Sequence, residues 1–285
     1  MAESVASNPE LTAEQVERIL IQPLETASVF LSAGPRVFDT DGSPVRIPKF
    51  GTMTAPSWHG ENEQITEVDA DFDEVVLLPS TIKSLKSLTR FSNELARQSV
   101  VSLDSVLQDR MVRDIAQKLD AAFIAGAVAD PQVSPLGVIN YSGTQSVDAA
   151  PTTLDPLLDA WGKLLAAGAN TAAAKWLVNP ADFVTLRKIK QGTGSNAYVL
   201  QADPTADGVF RLFGSTVLVS PYVPAGTAVL ADFSQIAVAR DQAPSVKILD
   251  QTFGDYDQMA IRVTARYDAA PLNADAVVIV KDAEA

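Results

Sequence analysis

The chain has 285 residues, of which 47% are hydrophobic and 20% charged, so it can bury a core without staples and is too apolar to stay disordered. It contains no cysteine, which excludes disulfides and thiolate metal sites, and a single histidine, which leaves little for imidazole chemistry. Its formal charge of -13 opposes a phosphate backbone, which rewards clustered Lys and Arg, so nucleic-acid binding is not expected as the main task.

The first residues, Met1 to Pro9, carry no basic stretch followed by an apolar run, and no run reaches the ~20 apolar residues of a membrane helix. Thr12 and Gln15 have capping-box spacing at the head of TAEQVERIL, and Pro23 ends that predicted helix. Gly34 to Gly51 is rich in Gly, Pro and Asp and predicts an extended arm with little core of its own.

Val45 to Pro48 and Ile65 to Phe72 alternate, which predicts two strands joined by a long excursion, a flap. Seven acidic residues lie between Glu61 and Glu74, and no Lys or Arg occurs from Phe50 to Ile82. On a strand, Glu67, Asp69, Asp71 and Asp73 share one face and Val68, Ala70 and Phe72 the other. A two-stranded flap of this length is marginal alone, so its apolar face is expected to need a neighbouring subunit.

Ser92 to Gly126 predicts a long helix with a break near Ser99–Ser102. Leu103, Leu107, Met111, Ile115, Leu119 and Phe123 recur every four residues, so the apolar stripe turns by ~40° per step. Shorter elements follow: helices over Thr153–Gly168 and Pro180–Lys190, and strands over Lys175–Asn179, Thr216–Val219, Thr227–Ala231, Gln235–Ala239, Met259–Arg266 and Ala276–Val280. Gln191 to Asn196 is loop by composition, and the class is α+β without repeats.

Catalytic patterns are weak. His59 beside Trp58 has no nucleophile-elbow sequence to serve. Asp69, Asp71 and Asp73 begin like a calcium loop, but Glu74 stands where Gly is required and Ser80 where the bidentate Glu is required. Gly192 to Ser195 lacks the Lys of a phosphate loop. The acidic residues leave a carboxylate-dependent hydrolase as a distant alternative. The expectation is no enzyme, no cofactor and no metal.

Taken in order, five stretches resemble the major capsid proteins of tailed bacteriophages, with the HK-97 fold. They are the arm and acidic flap with Trp58, Glu61 and Glu63 ahead of Val75 to Leu78; Phe91-Ser92-Asn93-Glu94-Leu95 before the helix ending Ala122 to Gly126; Trp176 to Pro180; Val223 to Gly226 with Ala231-Asp232-Phe233-Ser234; and Arg262 to Pro271. The resemblance implies an N-terminal arm (1–43), an extended E-loop (44–80), a peripheral domain with its spine helix (81–134 and 241–285) and an axial domain (135–240). It implies self-association into hexamers and pentamers of an icosahedral shell around double-stranded DNA, in a virion assembled in the host cytoplasm.

The partners implied are the chain itself, a separate scaffolding protein, a portal and decoration proteins, with no fused scaffold. Inter-subunit contacts are expected at Trp58, Glu61, Glu63, Glu67, Asp69, Arg262 and Arg266. The family's lysine–asparagine crosslink is not expected, because Phe50 to Ile82 has no lysine and Gln258 and Ala265 stand at the positions aligned with the asparagine and glutamate. The nearest alternative is an encapsulin-like bacterial compartment, which shares the fold.

Overall fold

The computed structural model describes residues 24, 27–50, 58–59, 61–62, 72–78, 84–92, 103–126, 134–192, 195–200, 209–253 and 256–282. The expected helix at Thr12, the strand from Ile65 and the acids Glu63, Glu67, Asp69 and Asp71 lie outside them.

The described chain enters with a one-turn helix, α1 (Val29–Ser32), which the sequence reading did not anticipate. It continues through β1 (Arg36–Asp39), β2 (Val45–Phe50), β3 (Phe72–Leu77) and β4 (Ser84–Ser92) to the long helix α2 (Leu103–Ala125). Next come β5 (Gln145–Asp148), α3 (Asp155–Ala166), β6 (Ala174–Val178) and α4 (Pro180–Arg187). The chain ends with β7 (Arg211–Leu212), β8 (Ser215–Val219), β9 (Thr227–Asp232), β10 (Ile236–Phe253), β11 (Gln258–Pro271) and β12 (Val277–Lys281).

Two larger sheets carry the body. The first has the order β1-β10-β11-β4, with β1 parallel to β10 and the other pairs antiparallel. The second has the order β5-β12-β9-β6-β8-β7. One face of the second sheet, with Ala174, Trp176, Val178, Leu230, Val278 and Val280, packs beneath α3 and α4. Its other face, with Leu177, Val229, Ala231, Val277 and Ile279, joins α2 and the inner residues Ile261, Val263 and Ala265 of β11 in the central core. A strand buried on both faces gains from continuous apolar sequence, which β9 has over 228–231 and β12 over 277–280, while β6 departs from it only at Lys175.

The sequence boundaries need three corrections. Ser92 ends a strand rather than starting the helix, because Ser84–Ser92 pairs along β11. Leu85 and Leu88, three apart, disguise the period of two. Strand β10 runs through the expected 240/241 boundary to Phe253, bending at register shifts on either side of Gln242. The last strand does not join the four-stranded sheet with β10 and β11; it lies between β5 and β9. With both faces apolar, Val277 to Val280 favours this doubly covered position.

Helix α2 buries Met111, Val112, Ile115, Ala116, Leu119, Phe123 and Ile124, the later part of the expected stripe. Phe123 meets Phe30 of α1 at 5.0 Å and Tyr267 of β11 at 6.4 Å between ring centroids. The helix stops at Gly126, where a Cβ would strike the carbonyl oxygens of Ala122 and Pro135; only glycine lets the chain pass there.

Candidate assembly surfaces

The flap base is a hairpin in the register Val45↔Leu77 to Phe50↔Phe72. Its inner side chains Val45, Ile47, Val75 and Leu77 pack with Leu78 on Ala237, Ala239, Ala270 and Leu272. At its root, therefore, the apolar face is covered by its own chain and needs no neighbour. The expectation of an uncovered face fails there because β10 and β11 present small alanines that the hairpin can approach closely. The return to the body is also pinned by a charge. Asp268, buried on β11, accepts the Leu78 N–H at 3.0 Å, with Leu78 held at φ 51° in the left-handed region. On the opposite face Arg46 pairs with Glu74 at 3.3 Å, both well exposed, which adds little stability.

Beyond that root only residues 58–59 and 61–62 are described, and His59 among them is half-buried. Trp58 is fully exposed and Glu61 is exposed. A tryptophan in water forgoes the largest apolar burial any side chain offers, which makes Trp58 a candidate contact residue.

The two expected arginines share the outer face of β11 but differ in what they do. Arg266 pairs with Asp241 at 3.0 Å, and that carboxylate also accepts the Gly42 N–H, so Arg266 ties the sheet to the arm. Arg262 is exposed. It lies in register between Lys247 of β10 and Leu88 of β4, and the next pair toward the sheet centre sets Lys86 beside Thr264. Directly opposed residues point to one side of a sheet, so Lys86, Lys247 and Arg262 form a cationic row around the exposed Leu88. Sequence reasoning missed Lys86, Leu88 and Lys247. Their signal was the alternation Lys86-x-Leu88-x-Arg90, legible only once Ser84–Ser92 is known to be a strand.

A second buried carboxylate secures the arm. Asp120 of α2 accepts the Ser28 hydroxyl at 2.6 Å and the backbone N–H groups of Val29 and Phe30 at 2.9 and 3.1 Å. These are donors at the start of α1 that its single turn cannot satisfy. Burial pushes the Asp120 carboxyl above its ordinary value, and the three hydrogen bonds pull it partly back.

Among the described residues no group of three His, Cys, Asp or Glu side chains could hold a metal, and no helix is long and apolar enough to cross a membrane. A cleft of about 400 Å³ between β4 and α2, floored by Leu85, Met111 and Ile115, contains no His or Cys and a single acid, Asp114. That acid is bound to Arg110 at 3.1 Å.

Residues 11–282 match the phage capsid family. The chain belongs to that family. It is 24% identical over 244 residues to a major capsid protein of Halomonas phage phiHAP-1, covering 84% of this chain and 38% of that protein. It is 26% identical over 192 residues to a capsid polyprotein of Pseudomonas phage PAJU2, covering 65% of this chain and 27% of that one. The chain thus spans well under half of the length of these curated relatives. Its fold is that of the capsid of a native GTA particle, with a TM-score of 0.72, 19% identity and 89% of each chain covered. The capsid protein has the mixed α+β HK-97-type architecture expected from its sequence.

Proposed function

We propose that this chain is a major capsid protein that builds hexamers and pentamers of an icosahedral shell around double-stranded DNA, as a non-enzymatic component of the virion. The carrying observation is mechanical. The flap is fixed to its own body by Leu77, Leu78 and Asp268, while Trp58 and Glu61 beyond it stand in water. A fixed root that carries an exposed tryptophan and an exposed acid suits reaching across to another copy. The family match supports this reading, and the related GTA capsid was itself computed with fivefold symmetry.

In this reading 1–43 is the arm, 44–80 the E-loop, 81–134 with β10 and β11 the peripheral domain, and the six-stranded sheet with α3 and α4 the axial domain. Scaffold, portal and decoration proteins are separate partners, and assembly takes place in the host cytoplasm. The acids Glu61, Glu63, Glu67 and Asp69 of one flap meet the cationic row of a neighbour, Arg262 with Lys86 and Lys247. Arg266 supports that strand from within. Self-crosslinking is absent from this account, since Ala265 is a buried alanine with no carboxylate to offer.

The test is electron microscopy of the chain expressed with its genomic neighbours. Wild type gives ringed particles tens of nanometres across; Glu67→Lys with Asp69→Lys gives folded subunits and few particles. A wild-type chain that stays a monodisperse monomer under all conditions would sink the shell reading. Normal shells from the charge-reversed variant would sink the flap contact alone.

A further inference from the structure

The helix layer over the six-stranded sheet carries two apolar patches that no described part of the chain covers. Helix α3 turns Leu157, Ala160 and Leu164 inward, all fully buried. Its flank shows Leu158 and Leu165, each about half exposed, with the half-buried Trp161 between them at helical spacing. The exposed acids Asp155 and Asp159 border this stripe. The second patch is on α4 and the segment that returns beside it, where Val199 donates its N–H to Ile189 at 2.9 Å. Here Val184, Tyr198 and Val199 are also about half exposed. The border is of opposite sign: Arg187, Lys188 and Lys190 are all exposed, with the Arg187 guanidinium 4.6 Å from the Phe210 ring centroid.

We infer that these two patches are the halves of one head-to-tail contact, the α3 stripe of one copy seating on the α4 patch of the next. This rests on the shell reading and names the surface by which neighbouring axial domains join. Scattered apolar residues on a surface need no explanation, but an apolar centre rimmed by charge is the anatomy of an interface. Charge decides the occupant. Like patches meeting across a twofold axis would set acid against acid or base against base, whereas unlike patches set Asp155 and Asp159 against Lys188 and Lys190. A contact between two different surfaces of the same chain propagates around a ring and closes when the rotation permits, as five or six copies would require.

The absence of cysteine makes the test clean. Leu158→Cys with Val184→Cys, assembled with its genomic neighbours and oxidised, is expected to give a ladder of linked chains up to a closed ring on a non-reducing gel. Either single variant is expected to give no linked dimer. Shells that form without a ladder overturn the head-to-tail contact and leave the shell reading intact; a linked dimer from a single variant overturns it in favour of a twofold contact. Absence of any wild-type particle removes the shell reading itself. Should the cysteine pair block assembly, amide exchange on wild-type shells decides. Protection over both 155–166 and 180–199, relative to dissociated subunits, is expected, and protection of only one or neither overturns the contact. Asp159→Lys is expected to lower particle yield at least tenfold, and adding Lys188→Glu and Lys190→Glu to recover most of it.

Discussion

The two large sheets are built from similar strands yet live in different surroundings. The six-stranded sheet is covered on both faces, by α3 and α4 on one side and by α2 and β11 on the other. The four-stranded sheet is covered on one face; on the other the flap root covers Ala237, Ala239 and Ala270, while Lys86, Leu88, Lys247 and Arg262 stand in water. The first sheet is thus given over to the core, and in the proposed shell the second has part of one face to spare for neighbours. The same residue change should accordingly act on folding in one and on association in the other.

The largest effect is expected at Trp176, fully buried, with its indole N–H donated to the Leu212 carbonyl at 3.3 Å. Trp176→Ala should cost about 3–5 kcal/mol, read as a lower denaturation midpoint of the isolated subunit. A loss under about 1 kcal/mol would show that the doubly covered sheet is not the stabilising one.

Next comes Asp120. Asp120→Ala strands the Ser28 hydroxyl and two backbone N–H groups in the core and should cost about 3 kcal/mol, measured the same way. The pH dependence has a definite sign. Burial raises the folded-state pKa of Asp120 above 3.8, so the folded subunit binds this proton more readily than the unfolded chain. Its contribution to stability therefore improves as pH falls through the raised value toward 3.8 and is constant below that. The stability of wild type minus that of Asp120→Asn should rise over this window; a difference that falls with acid would contradict the burial of this charge.

Arg262→Glu and Leu88→Glu, on the bare part of that sheet's outer face, should leave subunit stability within about 0.5 kcal/mol while lowering particle yield severalfold. A loss of subunit stability above about 1 kcal/mol, seen in thermal unfolding, would mean that this part belongs to the fold after all. The smallest effect is expected at Arg46→Ala, which removes an exposed pair with Glu74 and should change stability by no more than about 0.5 kcal/mol.

Most of the elements were legible in the sequence where one physical rule dominated. Strands β6, β9 and β12 announce themselves as short apolar runs, and β11 alternates because one of its faces is dry and the other wet. Pro180 at a first turn reads as a helix start, and the structure adds an Asn179 side chain that accepts the Ala181 N–H at 2.9 Å. Where two rules competed, the local reading failed. Ser84–Ser92 has leucines three apart and exposed polar residues, so only its pairing with β11 makes it a strand. Strand β10 contains Pro244 and an interrupted register, which locally reads as a break.

Among the expected contact residues, Trp58, Glu61 and Arg262 stand exposed, while Arg266 is engaged inside its own subunit by Asp241, a partner in space that no spacing along the chain reveals. The sequence by itself determined the class of the chain: an acidic α+β protein with a long helix and an acid-rich flap segment. Tertiary structure decided which surfaces are spare. It covered the flap root with Ala237 and Ala239, placed β12 in the six-stranded sheet, and brought Lys86, Lys247 and Arg262 from three distant segments into one row. Periodicity records which face of an element is apolar, but what covers that face depends on segments far away in the chain.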